Sequence, residues 1–408
     1  MADVLVKPGL LHGTVTPPPA KSDAHRALIA ASLSGSLERV RGLPEPLSDD
    51  LAATVRCLEA LQAGQSELDC GESGTTLRLL VPVCAALPVT RRADPLCFTG
   101  RGRLPFRPLR EYETILGSAG FLLQFPAGMS LPLTVSGRLE PGDFDVPGHI
   151  SSQYISGLLL ALPLLEKPSR IRLTSPLESA PYVAMTIRTL ERYGIQVSVT
   201  ADGFAVAAPQ PYCAADYTIE KDYSQAAFWL TAAYGGAPLS VSGLPAETAQ
   251  GDRAIIDWLR RLADGQTEYE IDAAQIPDLV PILSVAACLT KAKTRMVRAG
   301  RLRLKESDRL EATASSLRAI GAVIEADSDS LTIHGGRPLT GGQADACGDH
   351  RIAMALAIAA LFSQNGVLIR GAEAVRKSYP DFFREMKRLG GDIHEFHVGD
   401  NPEDQLVW

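Results

Sequence analysis

Five residues, KESDR at 305–309, set two cations and two carboxylates side by side. Lys305 and Arg309 stand four apart, the spacing that puts side chains on one face of a helix, and the run is expected to open one. The N-terminal end of a helix favours carboxylates through its dipole, which accounts for Glu306 and Asp308 but not for the bases. Two cations on one face call for an anion, and Glu306 within reach of the same ligand could move a proton. The plain alternative is an exposed lattice of i,i+4 charges, and the remaining motifs weigh against it.

At 408 residues the chain predicts two or three domains. A formal net charge of −7 argues against nucleic acid, which is bound through a basic surplus, so any anion must be met by a local cationic pocket. Seven cysteines, odd in number and without a CxxC pair, fit a reducing cytoplasm better than a disulfide framework. The opening MADVLVKPGLLHG has no signal-peptide pattern, and no run nears the ~18 apolar residues of a membrane span. A cytoplasmic protein with no membrane partner is expected, and a monomer.

One pattern recurs. A polar cluster opens a helix rich in Ala and Leu: KSDAHRALIAASLSG, ESGTTLRLLVPVCAAL, SSQYISGLLLALPLL, DYSQAAFWLTAAYGG, IPDLVPILSVAACL and GDHRIAMALAIAAL. Each is apolar on nearly every side after its first turn and reads as a buried helix. Between them lie amphipathic segments that stop at glycine, such as DLAATVRCLEALQAG, YVAMTIRTLERYG and DRLEATASSLRAIG. Short β-type runs (FAVAAP, VIEADS, LTIHGG, GVLIRG) flank them. The chain therefore reads as α/β, six units of one buried and one surface helix, three before about residue 218 and three after.

Helix N-termini carry unpaired N–H groups and bind phosphate and carboxylate. Capping accounts for Ser22, Asp222 and Asp349, but not for Lys21, Arg26, Arg78 and Arg351 on otherwise apolar helices. Burying an unpaired cation costs several kcal/mol, so these four are expected to have anionic partners.

Eight motifs in order carry a resemblance: KSxxxRAL at Lys21–Leu28, SGTTLR at Ser73–Arg78, GRGRLPFRPL at 100–109, SSQ at Ser151–Gln153, IPD at Ile276–Asp278, KESDR, DHRIAM at 349–354 and KSYPDFF at 377–383. From about residue 11 to 385 the sequence resembles the EPSP synthase (3-phosphoshikimate 1-carboxyvinyltransferase) family of enolpyruvyl transferases. The resemblance implies a two-domain inside-out α/β barrel, each domain three βαβαββ repeats, with the active site in the interdomain cleft. Residues 21–218 would form the shikimate-3-phosphate-side domain and residues 1–20 with 219–408 the other, the chain crossing twice. The implied reaction moves the enolpyruvyl group of phosphoenolpyruvate to the 5-hydroxyl of shikimate 3-phosphate through a tetrahedral ketal phosphate, with no metal or organic cofactor.

Carried onto this sequence, the pattern implies that Lys21, Gly74, Arg78, Arg103, Gln153, Arg309, Arg351 and Lys377 hold phosphoenolpyruvate. For shikimate 3-phosphate it implies Lys21, Ser22, Arg26, Ser151, Ser152, Gln153, Ser179, Asp278 and Lys305, with Tyr182 near the ring. Asp278, Glu306 and Lys21 are the expected proton carriers; Asp308 is expected to orient Arg309 or cap its helix, and His350 to orient the site or cap.

Glu72, Arg301 and Ala20 depart from the family pattern and bear on the fine substrate contacts. The sister reaction on UDP-N-acetylglucosamine is the nearest alternative, but its usual Cys is missing from the loop GRGRLPFRPLREY, and Lys21-Ser22 stands for its Lys-Asn. A non-catalytic binding protein on the same fold would have lost the proton carriers. There is no P-loop and no GxSxG elbow, and HEFH at 394–397 lacks a third metal ligand.

Overall fold

The computed structural model describes residues 3–117 and 119–396. The chain divides into two compact units, Pro19–Glu220 and the described residues before and after it. Each has its own apolar core, one built on Leu77, Leu80, Phe98, Ile155 and Leu159, the other on Trp229, Ile282, Met296, Met354 and Phe382.

Helices of two kinds alternate. In the unit Pro19–Glu220 they are α1 (Lys21–Ser34), α2 (Asp49–Gln62), α3 (Gly74–Ala86), α4 (Glu111–Leu116), α5 (Ser152–Ala161) and α6 (Ala180–Arg192). In the other unit they are α7 (Tyr223–Tyr234), α8 (Ile255–Leu262), α9 (Val280–Leu289), α10 (Arg309–Arg318), α11 (His350–Ala360) and α12 (Phe382–Arg388). The odd-numbered helices are the apolar ones; α9 and α11 are buried along almost their whole length. The even-numbered ones bury a stripe. In α8, Ile255, Leu259 and Leu262 face inward while Arg260 and Arg261 end the helix in solvent, where cations suit its dipole.

The sheets show why the helices alternate. Glu67–Asp69 runs parallel to Leu96–Thr99, and α3 is the crossover that a parallel pair requires. Leu133–Gly137 then pairs antiparallel with Leu96–Thr99, in a register that sets Leu96 on Val135 and Phe98 on Leu133, and Phe121–Gln124 closes the sheet. Asp143–Val146, Ser169–Leu173, Gly203–Val206 and Val197–Thr200 repeat the order around α5. Glu268–Asp272, Lys293–Val297, Leu331–His334 and Val323–Ala326 repeat it around α9.

A fourth such sheet is completed by the N-terminus. Gly342–Asp345 and Val367–Arg370 flank α11, and Asp3–Val6 enters between Val367–Arg370 and Ile393–Phe396. In the remaining two repeats the described residues form only the parallel pair, Val40–Arg41 with Tyr217–Thr218 and Gly13–Val15 with Leu239–Val241. The first pair lies wholly within Pro19–Glu220, joining its beginning to its end, and the second lies wholly in the other unit. All six sheets are open, and none of the described ones closes into a β-barrel.

Helices α3 and α5 pack closely because Gly157 has no side chain. A Cβ there would lie 2.6 Å from the Arg78 carbonyl and 2.7 Å from Pro82 Cγ, below van der Waals contact. Gly157→Ala must push α5 away from α3. Overpacking of this kind costs about 1–3 kcal/mol, so a lowered urea midpoint with an unchanged slope is expected, and an unaltered midpoint would contradict the packing described.

Candidate active site

In the unit that holds α7–α12, ionisable groups converge on Arg309, whose side chain is 1% exposed. Its Nε donates to Asp349 Oδ2 at 2.8 Å, Nη1 donates to Asp278 Oδ1 at 2.9 Å, and Nη2 donates to Glu306 and to Asp349 Oδ1 at 3.3 Å. Burial works against its charge, but Asp349, Glu306 and Asp278 outweigh that and hold it protonated. Asp278 also accepts from Arg351 Nη2 at 3.0 Å and lies 3.7 Å from Lys305 Nζ. Burial alone would raise Asp278; Arg351, Lys305 and Arg309 together keep it well below the usual carboxylate range. Lys305 is pushed down to about 8, first by burial and then by the charges of Arg309 and Arg301.

The backbone sets this geometry. Asp278 sits on the 3₁₀ turn Pro277–Leu279 that leads into α9, and Asp349 caps α11 by accepting from Arg351 N at 2.9 Å. Lys305 is not helical. It follows the 3₁₀ turn Gly300–Leu304 in extended conformation, and α10 begins at Arg309. The expectation that i,i+4 spacing brings Lys305 and Arg309 together is therefore corrected: both approach the same oxygen, Asp278 Oδ1. Asp308 caps α10 through Glu311 N and pairs with Arg303 at 2.7 Å. Lys377 reaches the Gly348 carbonyl at 2.9 Å, beside the cap of α11. His350 is buried in the first turn of that helix, its Nδ1 3.9 Å from Asp349 Oδ1.

In the unit Pro19–Glu220 the polar residues gather at the starts of α1, α3, α5 and α6. Lys21 Nζ donates to Asp50 Oδ2 at 2.6 Å. Arg26, fully buried, donates to Thr186 Oγ1, the Ser22 carbonyl, the Tyr182 carbonyl and Ser156 Oγ at 2.6–3.3 Å. Its pKa falls to about 10, chiefly through burial, against which Asp23 acts. Arg78 donates to Gln153 Oε1 at 3.0 Å and to the Pro108 carbonyl at 2.8 Å, and Gln153 in turn donates to Thr75 at 2.8 Å. So the four helix cations do not all meet carboxylates. Lys21 and Arg351 do; Arg26 and Arg78 are met by neutral oxygens, several from the backbone.

Ser151 caps α5 through Gln153 N, and Ser152 is buried in the turn it opens. Ser22 does not cap α1: Ala20 holds that position in extended conformation without a side-chain bond, and Ser22 lies inside the first turn. Ser179 precedes α6 with φ 54°, a left-handed conformation that is unusual for serine and concentrates at binding sites. The carboxylate of Glu72 occupies the space that a side chain at Gly102 would fill.

One guanidinium was not foreseen. A Cβ on Gly74 would stand 2.5 Å from Arg107 Nη1 and 2.8 Å from Arg78 Nη1, so glycine at the first position of α3 lets two arginines close over that helix start. Arg103, the expected arginine of this loop, is exposed at the head of the 3₁₀ turn Leu104–Phe106. The arginine of this loop that meets Gly74 and Arg78 is Arg107. Both were visible in GRGRLPFRPL; what separated them is the turn between, which sends side chains four apart in different directions.

No group of three or more His, Cys, Asp or Glu suited to a metal ion occurs among the described residues, and His397 of the HEFH run lies outside them. Among the described residues no helix is long and apolar enough to cross a membrane.

The family model for EPSP synthase (3-phosphoshikimate 1-carboxyvinyltransferase) matches residues 5–69 and 62–386. The chain belongs to the EPSP synthase family. A 3-phosphoshikimate 1-carboxyvinyltransferase of Clostridium acetobutylicum is 39% identical over 430 residues, covering 97% of this chain and 99% of that one. One from Clostridioides difficile is 38% identical over 444 residues, covering 98% of this chain and 100% of its own length. Among solved structures, an EPSP synthase from Acinetobacter baumannii superposes with a TM-score of 0.78 at 22% identity, covering 97% of this chain and all of the other. The enolpyruvyl transferase NikO from Streptomyces tendae gives 0.74 at 17%, covering 97% of this chain and 99% of that one. At those identities the two structures establish the fold: two-domain α/β.

His25 joins the helix starts on the Lys21 side. Its Nδ1 bonds Thr54 at 2.7 Å, Thr54 bonds Thr76 at 2.6 Å, and Thr76 donates to Ser73 at 2.7 Å. Burial first, then Lys21 and Arg26, holds its pKa well below 6.5. Below pH 6.5 the unfolded chain therefore takes up a proton that the folded one refuses, and stability falls as the pH falls, by about 1.4 kcal/mol per unit from this residue. Urea unfolding at pH 5 and 7 should show a shallower pH slope in His25→Gln than in the parent; equal slopes would refute the assignment.

Proposed function

We propose that this protein transfers the enolpyruvyl group of phosphoenolpyruvate to the 5-hydroxyl of shikimate 3-phosphate and releases phosphate, a step of aromatic amino-acid biosynthesis. One observation carries the reading. Asp278 is a largely buried carboxylate, its side chain 15% exposed, kept ionised by three cations, with Glu306 on the neighbouring guanidinium. Such a group can take a proton from a hydroxyl while the cations around it meet an incoming anion. Family membership and relatives 38–39% identical over nearly their full length support the same reaction.

In this proposal Asp278 accepts the 5-hydroxyl proton as oxygen attacks the central carbon of the enolpyruvate. As that bond forms, Glu306 and Lys21 deliver a proton to the methylene carbon, and they take one back from the new methyl group as the C–O bond to phosphate breaks. Arg78, Arg107, Arg309, Arg351 and Lys377 hold phosphoenolpyruvate. Arginine suits this because its planar fork grips carboxylate and phosphate in pairs of bonds. Lys21, Ser22, Arg26, Ser151, Ser152, Gln153, Ser179 and Lys305 hold shikimate 3-phosphate, most of them from the unit Pro19–Glu220. A cytoplasmic monomer that needs no metal or organic cofactor is part of the same proposal.

The test is phosphate release from phosphoenolpyruvate, with shikimate 3-phosphate and with UDP-N-acetylglucosamine in parallel. Release that depends on shikimate 3-phosphate and drops at least about 100-fold in Glu306→Gln is expected; release with the nucleotide sugar alone would overturn the substrate. Arg107→Lys should raise KM for phosphoenolpyruvate about tenfold or more while Arg103→Lys leaves it nearly unchanged. Lys305 is a cation below about pH 8 and neutral above it, so kcat/KM for shikimate 3-phosphate should fall through that pH. In Lys305→Arg, which stays charged, the fall should vanish; its persistence would remove Lys305 from the binding set.

A further inference from the structure

Asp252 belongs to no motif that led to the site. It lies in the 3₁₀ turn Gly251–Ala254 ahead of α8 and is 4% exposed. Its Oδ2 accepts a hydrogen bond from Ser224 Oγ, in the first turn of α7, while its Oδ1 is buried without a hydrogen-bond partner among the described residues. Ser224 has one proton. With that proton on Asp252, its lone pairs face Arg351 Nη2, which lies 3.4 Å away and also donates to Asp278 Oδ2 at 3.0 Å. A continuous line thus runs from Asp252 through Ser224 to Arg351 and Asp278. A carboxylate buried with one oxygen unsatisfied is costly and uncommon, and calls for a reason beyond packing.

We infer that Asp252 is a positioning residue which, through Ser224, sets how strongly Arg351 is drawn away from an incoming anion. Ionised, it makes Ser224 Oγ a better acceptor for Arg351 and adds a negative charge beside the place where phosphate or carboxylate must bind. Protonated, it does neither. The groups that face it are Ser224 and the cap Asp222 on the α7 side, Asp278 on the turn before α9, and Arg351 on α11. Burial, then the charge of Asp278, pushes its carboxyl up to about 7, so the change of state falls within the working range.

The inference rests on the proposed reaction for its substrate but not for its test. Affinity for inorganic phosphate is measured by calorimetry from pH 6 to 8.5 in the parent, Asp252→Asn and Ser224→Ala, and KM and kcat for phosphoenolpyruvate over the same range. Phosphate's own ionisation is common to all three and cancels in the ratios. Parent and Asp252→Asn should bind phosphate about equally at pH 6, and the parent should become about three- to tenfold weaker by pH 8.5. The same divergence should appear in KM, with kcat changed less than about twofold. Ser224→Ala, which takes away the hydroxyl that stabilises the ionised carboxylate, should move the midpoint of the parent curve upward. Should Asp252→Asn not fold, the ratio of Ser224→Ala to parent, in which phosphate's ionisation cancels, decides alone: it should change across the range. A constant ratio across the range, an unmoved midpoint, or no phosphate binding by the parent would each overturn the inference. Turnover that fails while the phosphate ratios diverge would overturn the proposed reaction and leave the role of Asp252 standing.

Discussion

Arg309 is the point on which the ionic cluster of the unit holding α7–α12 is built. A guanidinium out of water is expensive unless its donors are met, and here Asp278, Glu306 and Asp349 meet four of them. Those carboxylates come from three places in the chain: the turn before α9, the approach to α10 and the cap of α11. Each is thereby fixed in direction, and Asp278 is left ionised, the state in which it can accept a proton. A buried ion cluster adds little net stability against a well-packed apolar one. Its presence points to chemistry more than to folding.

The helices that carry these groups share one design. Four of the apolar helices, α3, α5, α9 and α11, cross between parallel strands, which sinks the helix body in a core and leaves its first turn as the place where polar groups can be met. The two units use this differently. Around α9 and α11 the cations are balanced by carboxylates, so an arriving anion has to compete with charge. Around α1 and α3, Arg26 and Arg78 are held by carbonyls, hydroxyls and an amide, which orient a guanidinium without neutralising it. The second arrangement leaves more of the positive field for a ligand, and Gly74 adds to it by letting Arg107 and Arg78 approach together.

Much of this was legible in the sequence, because helices announce themselves locally. Apolar runs opened by Ser, Asp or Lys, and amphipathic runs stopped by glycine, marked the α1–α12 alternation, and FAVAAP, VIEADS, LTIHGG and GVLIRG fell on strands. The order of eight motifs pointed to the family. All of these depend on neighbours within a few residues, where propensity, capping and periodicity act.

Partnerships across the chain were decided only by tertiary structure. That Asp3–Val6 completes the last sheet follows from an edge left open hundreds of residues away. That Lys305 and Arg309 meet at Asp278 instead of along a helix follows from the 3₁₀ turn before them. Arg103 and Arg107 are equivalent in the sequence, and the turn between them alone sets one in solvent and the other against Gly74. Asp252 carried no signal at all, since a buried carboxylate is known by what surrounds it. The sequence by itself determined which residues could bear charge and where helices begin; the fold decided which charges face one another, because electrostatics depends on distance in space and not along the chain.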